Sequence, residues 1–161
     1  MKLAQTTETE VSKKIKNPNP KVIVFLCKWC SSKGADTAGV SRLEYPPNIL
    51  PIIVNCSSRV DPQHVVEAFL NGADGVVVSG CHPGVCHYQN GNYKALKRMT
   101  LLFELLKQIG VSPKRYKLTW IAATEGAKFS KEMTEFVESL KTLPPYMKNN
   151  KQMEESENEK A

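Results

Sequence analysis

Short apolar runs alternate with amphipathic stretches four times along this chain. The runs at residues 21–27, 50–55, 75–79 and 117–122 are rich in Val and Ile and are bounded by turn-forming residues. That pattern predicts buried strands. Between them, residues 34–43 are rich in small side chains and predict a short helix. Asp61 followed by Pro62 predicts an N-cap and first helical turn, with Val65, Val66, Phe69 and Leu70 on one face and a stop near Gly72. A longer helix runs from about Asn92 to Gly110, with Leu96, Met99, Phe103 and Leu106 as its buried stripe. The last helix, 126–142, aligns Phe129, Met133, Phe136, Val137 and Leu140.

Strands that alternate with helices pair in parallel and are covered on both faces. The expected fold is therefore a three-layer α/β domain, flavodoxin-like, with a mainly parallel sheet of about four strands. This order has a chemical consequence. Cys27, Cys56 and Cys81 each stand at the end of an apolar run, and Cys30 and Cys86 follow within the next loops. Neighbouring parallel strands place their carboxyl ends side by side. All five cysteines are thus expected on one edge of the sheet.

Composition adds boundaries. The 161 residues are enough for one domain with a hydrophobic core, and no apolar run approaches the length of a membrane span. Residues 1–19 are polar with mixed charge and read as a flexible leader without a secretory signal. Residues 20–143 form the domain. Residues 144–161 read as a disordered polar tail. The expected location is the cytoplasm, where thiols stay reduced and grouped cysteines bind metal or do redox chemistry. The net charge is +6, but there is neither an aromatic-rich RNA-binding signature nor zinc-finger spacing. No nucleic-acid or membrane partner is expected.

Three chemistries compete for the sulfurs. Two cysteine pairs could close a tetrahedral zinc site, although the second pair has a four-residue gap and the fold is large enough to stand without a metal. Cys27-Lys-Trp-Cys30 after a strand resembles a dithiol motif, but Ser31 to Gly34 separates it from the expected helix and three further cysteines need a role. An iron–sulfur cluster uses more of them. Lys28, Lys33, Arg42, Arg59, Lys94 and Arg98 would then stabilise negative charge or steer an acidic partner. Gly80, Gly84 and Gly91 would let the backbone pass close to sulfur. His82 and His87 are expected to bond locally or pack, and Trp29 and Tyr88 to shield the site. There is no phosphate loop and no paired carboxylate at useful spacing, so a binding or transfer role is favoured over an independent active site.

Taken together, these stretches resemble the delta, or iron–sulfur, subunit of methyl-viologen-reducing hydrogenase, from Val22 to about Leu140. The matching segments are Cys27-Lys-Trp-Cys30, Gly34 to Pro47, Val54 to Pro62, Ala68 to Val76 and, most specific, Gly80-Cys-His-Pro-Gly-Val-Cys-His-Tyr-Gln-Asn-Gly-Asn-Tyr93. The resemblance implies a [2Fe-2S] cluster held by four of Cys27, Cys30, Cys56, Cys81 and Cys86. It also implies an electron relay from a hydrogenase or formate dehydrogenase to the flavin-containing A-type component of heterodisulfide reductase, to which family members are sometimes fused. That flavin bifurcates electrons in methanogens and related anaerobes. Ser58 stands where the family is expected to have glycine. The alternative reading is a zinc-stabilised docking adaptor without a redox role. Because each paired motif brings two sulfurs from one loop, Cys56 is expected to be the most dispensable ligand.

Overall fold

The computed structural model describes residues 17–146. Most of the expected leader and tail lies outside the described residues. Four strands, β1 (Val22–Cys27), β2 (Ile49–Val54), β3 (Gly75–Gly80) and β4 (Tyr116–Trp120), form one sheet in the order β2-β1-β3-β4. Every pairing is parallel. Four helices complete the three layers: α1 (Ser31–Val40), α2 (Pro62–Leu70), α3 (Gly91–Gln108) and α4 (Gly126–Lys141).

The alternation of side chains along β1 divides the core in two. Val22, Val24 and Leu26 pack with Ala38 of α1 and with Phe129, Met133, Phe136, Val137 and Leu140 of α4. Phe25 packs on the opposite face with Val65 and Phe69 of α2 and Met99, Leu102 and Leu106 of α3. Central β3 is buried along its whole length, which is why it reads as an unbroken Val76-Val77-Val78. Each such valine contributes roughly 1.5–3 kcal/mol by leaving water.

Helix starts follow their sequence signals. Asp61 accepts from the Gln63 N–H at 3.0 Å, and the His64 ring answers the Asp61 N–H at 3.3 Å, a reciprocal cap ahead of Pro62 at the first helical position. Gly72 ends the turn after α2 with φ of 88°.

Three expectations change. β2 is an edge strand rather than a buried one, with Leu50, Ile52 and Ile53 exposed by 55%, 43% and 62%. The buried stripe of α3 is Ala95, Met99, Leu102 and Leu106. Leu96 faces solvent because the helix presents the neighbouring row to the sheet. On α2, Leu70 is likewise exposed, and only Val65 and Phe69 are fully buried.

The amino ends of the strands are locked by a buried ionic group. Asp74, just before β3, accepts from the backbone N–H groups of Lys21 and Tyr146, each at 2.9 Å. Arg115, just before β4, lies 3.8 Å from that carboxylate and donates to the Asp74 carbonyl at 2.9 Å and to the Pro144 carbonyl. The chemistry sits at the other end.

A cysteine-lined candidate metal centre

The carboxyl ends of β1 and β3 meet where the strand order reverses, the position at which open α/β sheets leave a crevice. Cys27 closes β1 and Cys81 follows β3, and their Sγ atoms are 3.9 Å apart. Ser31 sets this spacing. Fully buried, its Oγ accepts from the Cys27 N–H at 2.9 Å and donates to the Ser79 carbonyl at 3.0 Å. Cys30 caps α1, which begins at Ser31 and not at Gly34 as expected. The intervening segment that argued against a dithiol motif is therefore helical.

Cys27, Cys30 and Cys81 form a buried trio with all three Sγ atoms within 4.8 Å of one another. The other two sulfurs form a second group. Cys56 is the cap of a 3₁₀ turn at Ser57–Arg59, and Cys86 lies in the loop that leads to α3. Both approach Gly91, where a Cβ would overlap Cys56 Sγ and stand 3.1 Å from Cys86 Sγ. The expected convergence of five cysteines is thus present, as three plus two. Of the three glycines expected beside sulfur, Gly91 makes that approach. Gly80 packs against Ser57 and Trp120, and Gly84 turns in open space with φ of 84°.

Hydrogen bonding grades the thiols. A hydrogen bond from Cys30 holds the Cys27 thiol down at about 5, against the penalty of burial. The reverse side of that bond, with burial, pushes Cys30 strongly up. Burial raises Cys81. Burial also opposes ionisation of Cys86, but the backbone N–H groups of Tyr88, Asn92 and Gly91 outweigh it and lower that thiol. Cys27 is therefore poised as a thiolate, the form that binds metal, and Cys86 is shifted in the same direction.

The surrounding polar groups hold the loops. His82 Nε2 is 2.6 Å from Glu125, whose carboxylate also accepts from the Ala122 N–H at 2.7 Å. Those two contacts, the backbone N–H first, hold Glu125 below the usual carboxylate range. The His87 ring stacks on Trp29 with centroids 3.8 Å apart, and Trp29 Nε1 donates to Tyr88 Oη at 3.2 Å. The two cysteine loops are joined by these aromatics, which remain 45% (Trp29) and 49% (Tyr88) exposed. The histidines thus bond and pack as expected. Ser31, Asn92 and Glu125 escape the sequence reading. Each is a common polar residue whose role depends on a partner distant in the chain.

A compact thiol-rich crevice of this kind can hold a metal, and comparison with known proteins narrows what kind of protein carries it. The family described as methyl-viologen-reducing hydrogenase, delta subunit, matches residues 22–144. The chain belongs to this family. It is 49% identical over 127 residues to the iron-sulfur D subunit of F420-non-reducing hydrogenase from Archaeoglobus profundus, covering 79% of this chain and 93% of that one. Identity to the iron-sulfur D subunit of the vhc F420-non-reducing hydrogenase from Methanococcus voltae is 46% over 129 residues, covering 80% and 90%. A third relative is longer. The A-type component of ferredoxin:CoB-CoM heterodisulfide reductase from Methanosarcina mazei is 49% identical over 130 residues, which are 81% of this chain but 16% of that protein. The delta-subunit family therefore occurs both as a free-standing chain and within a larger one. Among the described residues, no helix is long and apolar enough to cross a membrane.

Proposed function

We propose that the chain is an iron–sulfur electron-transfer subunit. It relays electrons from a hydrogenase or formate dehydrogenase to the flavin-containing A-type component of heterodisulfide reductase. The observation that carries this reading is the three-plus-two grouping of cysteines at the switch point of the sheet. A [2Fe-2S] cluster takes four thiolates, two on each iron. Two members of the buried trio suit one iron, and Cys56 with Cys86 suit the other. Bound there, the cluster would supply a one-electron carrier. The chain's own groups supply fixed sulfur positions, backbone N–H groups near Cys86 and an aromatic cover made by Trp29, His87 and Tyr88.

This grouping supports a different spare ligand from Cys56, the one expected from sequence spacing. Cys86 packs against the trio and also stands beside Cys56, and Cys56 with Cys86 make a natural second pair, which favours a spare thiol within the trio. The partners follow from the relatives, one group named as hydrogenase subunits and the other as the A-type component of heterodisulfide reductase. A cytoplasmic location accords with reduced thiols.

A second reading draws on the buried trio alone, three sulfurs all within 4.8 Å of one another. Cys27 and Cys81 at 3.9 Å match the edge of a thiolate tetrahedron, about 3.8 Å for zinc–sulfur bonds of about 2.3 Å. Zinc in the trio would make the protein a docking adaptor. Anaerobic purification separates the two readings. The relay requires two irons and two labile sulfides per chain, visible absorption and an electron paramagnetic resonance signal on reduction. Stoichiometric zinc without sulfide would overturn it.

A further inference from the structure

Helix α3 touches both sulfur groups through side chains that the proposed function has not used. Asn92, 1% exposed, donates from Nδ2 to the His82 carbonyl at 2.6 Å and to the Cys81 carbonyl at 3.3 Å. Its Oδ1 accepts from the Tyr93 N–H at 2.9 Å, so the amide is fully engaged. Nearly two turns later, Arg98 Nη1 donates to the Ser58 carbonyl at 2.6 Å and to the Val60 carbonyl at 3.3 Å. Those carbonyls belong to the turn that follows Cys56. The two side chains start about 9 Å apart along the helix axis. Between the two loops, Gly91 leaves room for the Cys56 and Cys86 sulfurs.

We propose that Asn92 and Arg98 are positioning residues that make α3 a ruler between Cys81 and Cys56. Asn92 fixes the start of the Cys81 loop, and Arg98 fixes the turn behind Cys56. An α-helix is stiff, so the separation of the two groups is held by the helix rather than by the loops. This inference rests on the cluster reading above. It assigns Arg98 an inward role. The half-buried guanidinium commits its Nη1 to backbone carbonyls, whereas Lys94 and Lys97 are exposed. Hydrogen bonds from a charged donor are stronger than those between neutral groups, and here two of them select one conformation of the Cys56 turn.

The test uses the full chain, reconstituted anaerobically with ferrous iron and sulfide, and compares wild type with Arg98→Leu, Arg98→Lys and Asn92→Ser. Readouts are iron and sulfide content, g-values and midpoint potential. The expected result is shifted g-values and potential in Arg98→Leu and Asn92→Ser, with Arg98→Lys closer to wild type because one cationic donor remains. Wild-type g-values and potential in Arg98→Leu would overturn the inference. If Arg98→Leu does not fold, Asn92→Ser decides, and unchanged spectra there would overturn it equally. A wild-type chain that takes up no iron and sulfide would instead overturn the cluster reading itself.

Discussion

Gly91 and Cys56 occupy adjoining space so tightly that no side chain fits between them: a Cβ on Gly91 would overlap the Cys56 sulfur. Gly91 opens α3, and its φ is not in the left-handed region, so alanine could adopt the backbone. At an unconstrained helix position the exchange would stabilise the protein by up to ~1 kcal/mol. Gly91→Ala is expected to do the reverse, costing about 1–3 kcal/mol by overpacking and preventing cluster assembly. Iron and sulfide analysis with thermal unfolding checks both; full cluster content would show that the sulfur has room to move.

The cysteine grouping predicts a pattern across five serine substitutions. Cys56→Ser and Cys86→Ser should each lose the [2Fe-2S] signal, while one of Cys27→Ser, Cys30→Ser and Cys81→Ser retains it. Retention in Cys56→Ser with loss in all three trio variants would restore Cys56 as the spare.

Metal-free protein offers an independent view of the same geometry. Cys86 is the least buried cysteine and its thiol is lowered by three backbone N–H groups. Cys27 is lowered too, but it is 1% exposed. Brief iodoacetamide treatment at neutral pH should therefore label Cys86 first, and peptide mass spectrometry reads the order. Because the thiolate is the nucleophile, lowering the pH through the Cys86 pKa must slow labelling. Faster labelling of Cys56 or Cys81 would contradict the site geometry.

Tyr93, 46% exposed, extends the aromatic surface of Trp29 and Tyr88 onto α3, where Lys94 and Lys97 are exposed. Aromatic residues with basic neighbours suit a protein interface. Reversing both charges, Lys94→Glu with Lys97→Glu, should slow hydrogen-driven reduction within the assembled complex by about tenfold at low salt. The isolated chain's spectrum should not change. Normal rates and normal assembly in the double variant would locate docking elsewhere.

At the opposite end of the sheet, Arg115 and Asp74 are 4% and 6% exposed. Arg115→Met leaves the Asp74 carboxylate buried without its cation and should cost about 3–5 kcal/mol. Urea unfolding measures this. A loss below about 1 kcal/mol would mean that water replaces the guanidinium.

Much of this protein is written locally. The Val-rich run of β3, the Asp61 cap ahead of Pro62 and the five-residue stripe of α4 are each contained within a few neighbouring positions, and all formed as expected. The alternation of strands and helices then implied a parallel sheet, and the sheet implied that cysteines ending three runs would share one edge. Strand order was not local. It decided that Ile49–Val54, apolar on both faces, lies at the edge and not in the centre. It also placed Cys27 against Cys81 and brought Cys56 to Cys86, between the trio and Gly91. Spacing along the chain pairs Cys81 with Cys86 because loop closure over few residues costs little. The fold adds Cys56 to that neighbourhood because Ser31, Asn92 and Arg98 tie distant backbone groups together, and such ties exist only once strands and helices have packed.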